Sequence, residues 1–477
     1  MIRLTLLWLI VSTIALYAWK DWYKALCALI IMMAVIEHPD MPKSMFGFQG
    51  MNPWNFLLLV VFMAWLVNRN REGLKWDMPN SISWLFTFYI LIVFIGFLRM
   101  LSDTGGMNAF AELMGTEKKT AMNYWSELII NCIKWVIPGI LIFDGCRSRQ
   151  RFTYGILSIL GIYTLLALLV IKAMPLGSIT DAEYLQRRAL KVLIHNIGYH
   201  RVNLSMMLSG AFWGVFALRE YAKSRQYKFL LLLVCFITFL GMALTGGRMG
   251  YITWACVGFI LCLVRWRKYI IVAPLLVISV AILIPSTVER MNQGFVTKED
   301  SNPAISKNEE INTYEVTSGR NLAWPYVIDK IEEAPFVGFG REAMINTGIS
   351  GEIIIKYGEA ELFPHPHNAY LQWLLDNGLI GSIPVFVFYL LFTKYSFILF
   401  RDSRNPIFIT IGGVTLSLLL ALFFASFGSQ TFYPREGAVG MWCAMGLMLR
   451  VYVERSRILE KTDYTEEQIK TFWHPAT

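Results

Sequence analysis

Apolar runs of roughly 17–25 residues, each closed by a short polar or basic break, recur along the whole chain, and about 20 such residues suffice for an α-helix to cross a bilayer. Twelve or thirteen runs qualify: Ile2 to Trp19, Trp22 to Glu37, Pro53 to Val67, Ile82 to Leu101, Tyr124 to Cys146, Phe152 to Met174, Leu204 to Leu218, Phe229 to Thr245, Met249 to Val264, Tyr269 to Ile284, Gly378 to Phe400, Pro406 to Phe427 and Gly437 to Val453. The first two are split only by Lys20-Asp21, so they form either a tight hairpin or two tilted half-spans. Composition agrees, with 56% hydrophobic and 16% charged residues, against about 45–50% and 25% in soluble domains. The expected fold class is an all-α polytopic membrane protein with one large outer loop. Met1 to Trp19 is apolar from its start and lacks a small-residue cleavage site, so it reads as the first span and not as a signal peptide.

The formal charge of +9 is a matter of topology and does not point to nucleic acid. Lysine and arginine cluster at 69–75, 147–151, 219–228, 265–268, 401–404 and 450–457, and one orientation makes all six cytoplasmic. That orientation puts the loops at 102–123, 175–203, 246–248, 285–366 and 428–436 outside. The chain then divides into N-terminal spans (1–203), spans with the Arg248 hairpin (204–284), a large periplasmic loop (285–366), C-terminal spans (367–453) and a cytoplasmic tail (454–477). Outside the cytoplasm there is no ATP or nucleotide sugar, so synthesis there must use a donor that is already activated. All seven cysteines lie in or beside apolar runs without a CxxC pair. They read as buried hydrophobes, giving neither a disulfide frame nor a metal site.

The expected outer loops carry cations where the charge rule disfavours them. Arg187, Arg188, Lys191, His195, His200 and Arg201 crowd one loop; Arg248 sits in Thr245-Gly246-Gly247-Arg248-Met249-Gly250, Arg320 opens a polar stretch, and Arg435 follows Tyr433-Pro434. Guanidinium grips phosphate oxygens bidentately and stays charged, so together these residues point to a diphosphate; contact with lipid headgroups is the plainer alternative for any one of them. A helix starting at Met249 would add its N-terminal attraction for anions. His367 follows Pro364-His365-Pro366, and Asn368 opens a helix after it. The prolines pin the approach, which suits a base at the bilayer surface. No HExxH or cysteine set accompanies His365 and His367, so no metal is expected. Glu332 and Glu333 are the alternative base, Gly378 and Gly381 would thin or kink the helix they sit in, and Lys298 to Thr313 suits a mobile lid.

His367-Asn368, nine residues, then Gly378-Leu379-Ile380-Gly381, with Arg320 to Trp324 and Pro335 to Gly340 upstream and the Arg248 turn before them, resemble the bacterial O-antigen ligase and polymerase superfamily. The resemblance covers about Leu204 to Phe400. It implies a metal-independent, inverting glycosyltransferase of GT-C-like type in the bacterial inner membrane, without a cofactor. The donor would be a glycan on undecaprenyl diphosphate, with His367 activating or positioning the acceptor hydroxyl and Arg248 and Arg320 holding the diphosphate. Arg187, Arg188, Arg201, Asn368 and Arg435 are additional candidates. The acceptor would be lipid A core for a ligase, another lipid-linked repeat for a polymerase, or a protein hydroxyl for an oligosaccharyltransferase. A lipid-linked glycan transporter is the alternative of a different class; Lys134, the one cation well inside a span, either pairs with Glu127 or snorkels.

Overall fold

Lipid offers the backbone no hydrogen-bond partner, so a chain of long apolar runs closes its N–H and C=O groups within helices. The computed structural model describes residues 2–42, 44–45, 48–175, 177, 181–271, 282, 285–292, 317, 319–358, 362–428, 430–461, 465–470 and 472–473. In chain order the helices are α1 (Ile2–Ala18), α2 (Trp22–Ile31), α3 (Pro53–Arg71), α4 (Asn80–Ser102), α5 (Gly105–Leu113), α6 (Ala121–Trp125), α7 (Asn131–Gly145), α8 (Arg149–Ala173), α9 (Ala182–Asn196), α10 (Arg201–Leu218), α11 (Arg225–Leu244) and α12 (Arg248–Val264). They continue with α13 (Pro285–Asn292), α14 (Arg320–Glu333), α15 (Ala343–Asn346), α16 (Ile349–Tyr357), α17 (Ala369–Arg401), α18 (Pro406–Ala425), α19 (Val439–Leu459) and α20 (Glu466–Lys470). A two-residue antiparallel ladder, Ser44–Met45 with Phe48–Gln49, is the exception among the described residues.

Among the described residues, six helical segments are long and apolar enough to cross a membrane: α4, α6 through α7, α8, α11, α17 and α18. The protein is thus an all-α, multi-pass membrane protein. Helices α1, α2, α3, α10, α12 and α19 occupy the other expected runs, whereas most of Tyr269 to Ile284 and all of Lys298 to Thr313 lie outside the described residues. Local sequence sets the starts. Asn52, Ser148, Ser224 and Asn405 each accept a backbone N–H at a helix N-terminus, and Pro53 and Pro406 fill the first helical positions, where no donor is needed. Helices α6 and α7 join through a π-turn at Ser126–Ile130. Beyond it Lys134 lies over Trp135, 4.2 Å from the ring centroid, while Glu127 bonds Lys119 at 2.6 Å.

Helix α10 is central, packed on α8, α11, α12 and α18. The crossing of α7 and α19 is closer still, since a Cβ on Gly446 would meet Gly139 O at 2.0 Å, the small-residue contact expected where helices pack in lipid. The six basic clusters assemble at one end. There Arg450, fully buried, donates to Phe143 O at 2.8 Å and to Asp77 at 2.8 and 2.5 Å. Arg147 reaches the same carboxylate at 2.9 and 3.1 Å. Nearby, Arg69 pairs with buried Asp144, Arg151 with Glu72, and Arg455 with Asp402. At the opposite end the remaining loops meet: Asn346 Nδ2 donates to Asp103 O at 2.7 Å, Arg201 to Gly246 O at 3.3 Å, and Ala369 N to Ser426 O at 2.8 Å.

Candidate active site

Two helix starts and one turn meet at that second end. Gly319, in the left-handed region at φ 78°, launches α14 so that Arg320 stands in its first turn. Four residues on, Trp324 Nε1 donates to Pro366 O at 2.9 Å and ties α14 to the histidine turn. His367 itself holds φ 53°, a conformation costing a non-glycine residue about 1–3 kcal/mol and concentrated at functional sites. Its N–H donates to His365 Nδ1 at 3.3 Å, and the two rings lie 4.2 Å apart. The accepting Nδ1 leaves Nε2 of His365 to carry the ring proton. Asn368 then caps α17, accepting from Tyr370 N at 3.0 Å and Leu371 N at 3.2 Å.

Electrostatics show which residues face one another. Burial, then the charge of Arg248, pulls Arg320 down to about 10. His365 falls to about 4 through burial and then Arg435, Arg320 and His200. Burial brings His367 to about 3, with His365, Arg320 and His200 adding to it. His200 is lowered by burial, Arg201 and Arg435. Arg435 is also lowered by burial, which Glu436 only partly offsets. Like charges crowd one another here, so the histidines are neutral at working pH and the arginines gain by meeting an anion.

The structure therefore brings together Arg248, Arg320, His367, Asn368, Arg201 and Arg435, with His200 and His365 among them. Arg435 bonds Asn203 Oδ1 and Gln430 Oε1, and Gln430 Nε2 in turn donates to Asn203 at 3.2 Å. Helix α12 begins at Arg248, one residue earlier than expected, behind Gly246 at φ 63°. Arg187 and Arg188 stand apart on α9. Arg187 is exposed and bonded to Glu183, and Arg188 lies 6.0 Å from the Tyr184 ring. Glu332 and Glu333 fall at the far end of α14, about 18 Å from Arg320 at 1.5 Å per residue, and Glu333 bonds Lys330 at 2.6 Å.

The glycines build the frame. Helix α17 starts at Ala369, ahead of the expected Gly378, and Gly378 breaks it at φ 61°, ψ −169°. The Pro335 to Gly340 segment supplies the partners this break frees. Leu379 N donates to Pro335 O at 2.8 Å and Ile380 N to Phe336 O at 3.0 Å, while Phe339 N and Gly340 N reach Leu375 O and Asp376 O at 2.9 and 2.8 Å. A Cβ at Gly378 would lie 2.4 Å from the Phe336 and Val337 backbone. Gly378→Ala is accordingly expected to cost about 3 kcal/mol or more from backbone strain and overlap together, read as a lowered unfolding midpoint in detergent; an unchanged midpoint would refute the clasp.

Sequence reasoning missed a buried hub beside this clasp. The Arg341 guanidinium lies 3.2 Å from the Tyr433 ring centroid. Tyr433 donates to Asp376 Oδ2 at 2.9 Å and accepts from Asn377 at 2.8 Å, and Asp376 Oδ1 takes Ala343 N at 3.1 Å. The available signal was Asp376-Asn377, a charged and an amide residue within an apolar helix just before Gly378. Among the described residues no group of three or more His, Cys, Asp or Glu could hold a metal ion.

The fold and site define, by class, a multi-pass helical membrane protein with arginines and a histidine pair gathered at one end of its bundle. Residues 233–386 match the family described as O-antigen ligase, a stretch that includes Arg248, Arg320, His367 and Gly378. Over that stretch, about a third of the chain, the protein is similar to the O-antigen ligase family. No curated protein matches the chain.

Proposed function

We propose that the protein is a ligase-type inverting glycosyltransferase. It moves a glycan from undecaprenyl diphosphate to a hydroxyl of lipid A core on the periplasmic face of a bacterial inner membrane. The acceptor oxygen bonds the anomeric carbon as the bond from that carbon to the phosphate oxygen breaks, and the electron pair leaves with the diphosphate. The hydroxyl proton passes to His367. Arg248, Arg320 and Arg435 neutralise the leaving group, a service that guanidinium gives without a metal ion. A good leaving group leaves the protein to supply orientation, charge and a base.

The observation that carries this reading is the placing of Arg320 near two neutral imidazoles, with Arg435 near His365 and Arg248 near Arg320. A polymerase or protein oligosaccharyltransferase would use the same step with another acceptor. Purified protein in detergent, given a polyprenyl-diphosphate glycan and acceptor, is expected to form product without a second leaflet, which a pure transporter would not. Arg320→Ala should raise the donor KM about 10- to 100-fold, the worth of a charge-assisted bond. A donor KM equal to that of the parent protein would remove Arg320 from the donor site.

A further inference from the structure

Helix α9 links α8 to α10 at the end that carries the site, and its surface divides into three lengthwise strips. Leu185, Ala189 and Leu193 are fully buried, on the side packed against α8, α10 and α13. Leu185 also covers the Gly246 turn, its Cγ 3.3 Å from where a Gly246 side chain would begin. At about 100° per residue, Leu190 and Ile194 fall on a neighbouring strip, and both are exposed, at 39% and 40%. Arg187, Arg188, Lys191 and His195 fall on the third strip with Tyr184; all are exposed but Arg188, which is half-buried. The apolar arc is thus wider than its buried part, with Leu190 and Ile194 left partly exposed. The excess borders a cationic row, with Glu183, bonded to Arg187, as the acid within the helix.

Water does not reward the partly exposed Leu190–Ile194 strip, and although it solvates the cations, the charge rule disfavours them on the face opposite the six basic clusters. A membrane boundary rewards both, because acyl chains meet the apolar strip while lipid phosphates meet the cations. We propose that α9 is an interfacial helix that binds the anionic phospholipid headgroups of the leaflet facing the site, through Arg187, Lys191 and Arg188. It seats the Arg248 turn at headgroup height and concentrates lipid-borne phosphate beside it. The occupant is the headgroup layer, because the cations are spread along an open helix surface and do not converge in a pocket. This inference does not depend on the transferase reading.

The test is native mass spectrometry of the delipidated full-length protein in non-ionic detergent, titrated with phosphatidylglycerol or with phosphatidylcholine of the same chains. The expected result is a preference for phosphatidylglycerol that falls about 10- to 30-fold in the Arg187→Gln/Lys191→Gln double variant, at roughly a factor of five per cation. Both positions are exposed, so the variant is expected to fold. An unchanged preference overturns the proposal. So does a double variant that, with no phospholipid present, loses donor affinity as strongly as Arg320→Ala, since α9 would then hold the donor itself. Loss of the lipid preference in the double variant but not in Arg320→Ala supports the proposal even if no transfer is ever observed.

Discussion

His367→Ala is expected to lower the turnover of glycan transfer by about 10²- to 10⁴-fold, the usual worth of a positioned acid or base, with donor KM nearly unchanged. His367→Gly should be equally inactive yet at least as stable, because glycine accepts the φ of 53° that this residue holds. A variant with near-parental turnover would take the imidazole out of the reaction. The pH profile follows from the same surroundings. Burial, His365 and Arg320 hold His367 at about 3 in the empty site, and a bound diphosphate would cancel the arginine charge and raise it. The acid limb of kcat should therefore lie at higher pH than that of kcat/KM for the donor, because the first reports the loaded enzyme and the second the free one. Stability obeys the matching sign. Both histidines are depressed from about 6.5, so their contribution is complete above that pH. It drains away as pH falls toward their folded values of about 4 and 3.

Asp77→Ala should be the most destabilising single truncation at the basic end, by about 3–5 kcal/mol. It takes from Arg450, whose side chain is fully buried, the two bonds to Asp77 at 2.8 and 2.5 Å, leaving Glu454 at 3.2 Å and Phe143 O as its partners, and it strips a partner from Arg147 and Arg457. Burial alone would raise the Asp77 carboxyl, but the bonds from Arg450 and Arg147 outweigh it and hold the group well below the usual carboxylate range. Its contribution is therefore present above about pH 4 and lost as acid protonates it. Chemical or thermal unfolding in detergent measures the loss, and a change under about 1 kcal/mol would mean that water already reaches these arginines.

The spans were legible because lipid allows so few backbone solutions: an apolar run of sufficient length must be a helix, and basic breaks mark one end of the bundle. Arg248, Arg320, His367 and Asn368 were legible for a related reason, since polar residues at span ends in an apolar chain stand out. Proximity along the chain misled elsewhere. Arg187 and Arg188 share a loop with Arg201, yet on α9 Arg187 is exposed and pairs with Glu183 of its own helix, and Arg188 lies beside the Tyr184 ring. Nor did the sequence reveal that Gly378 breaks α17 against Pro335 to Gly340, or that Arg341 stacks on Tyr433. Those partners lie tens of residues apart, and only packing brings them together.

Asp77 has a further consequence for how the protein is made. Its partner Arg450 follows it by 373 residues, which at 5–20 residues per second is a delay of about 20–75 s during synthesis. Throughout that interval Arg147, made 70 residues after Asp77, is the guanidinium that can hold the carboxylate, and Arg450 joins it only with α19. Insertion of α19 thus completes the ion cluster around Asp77. A translation product stalled before it would be the form most open to proteolysis.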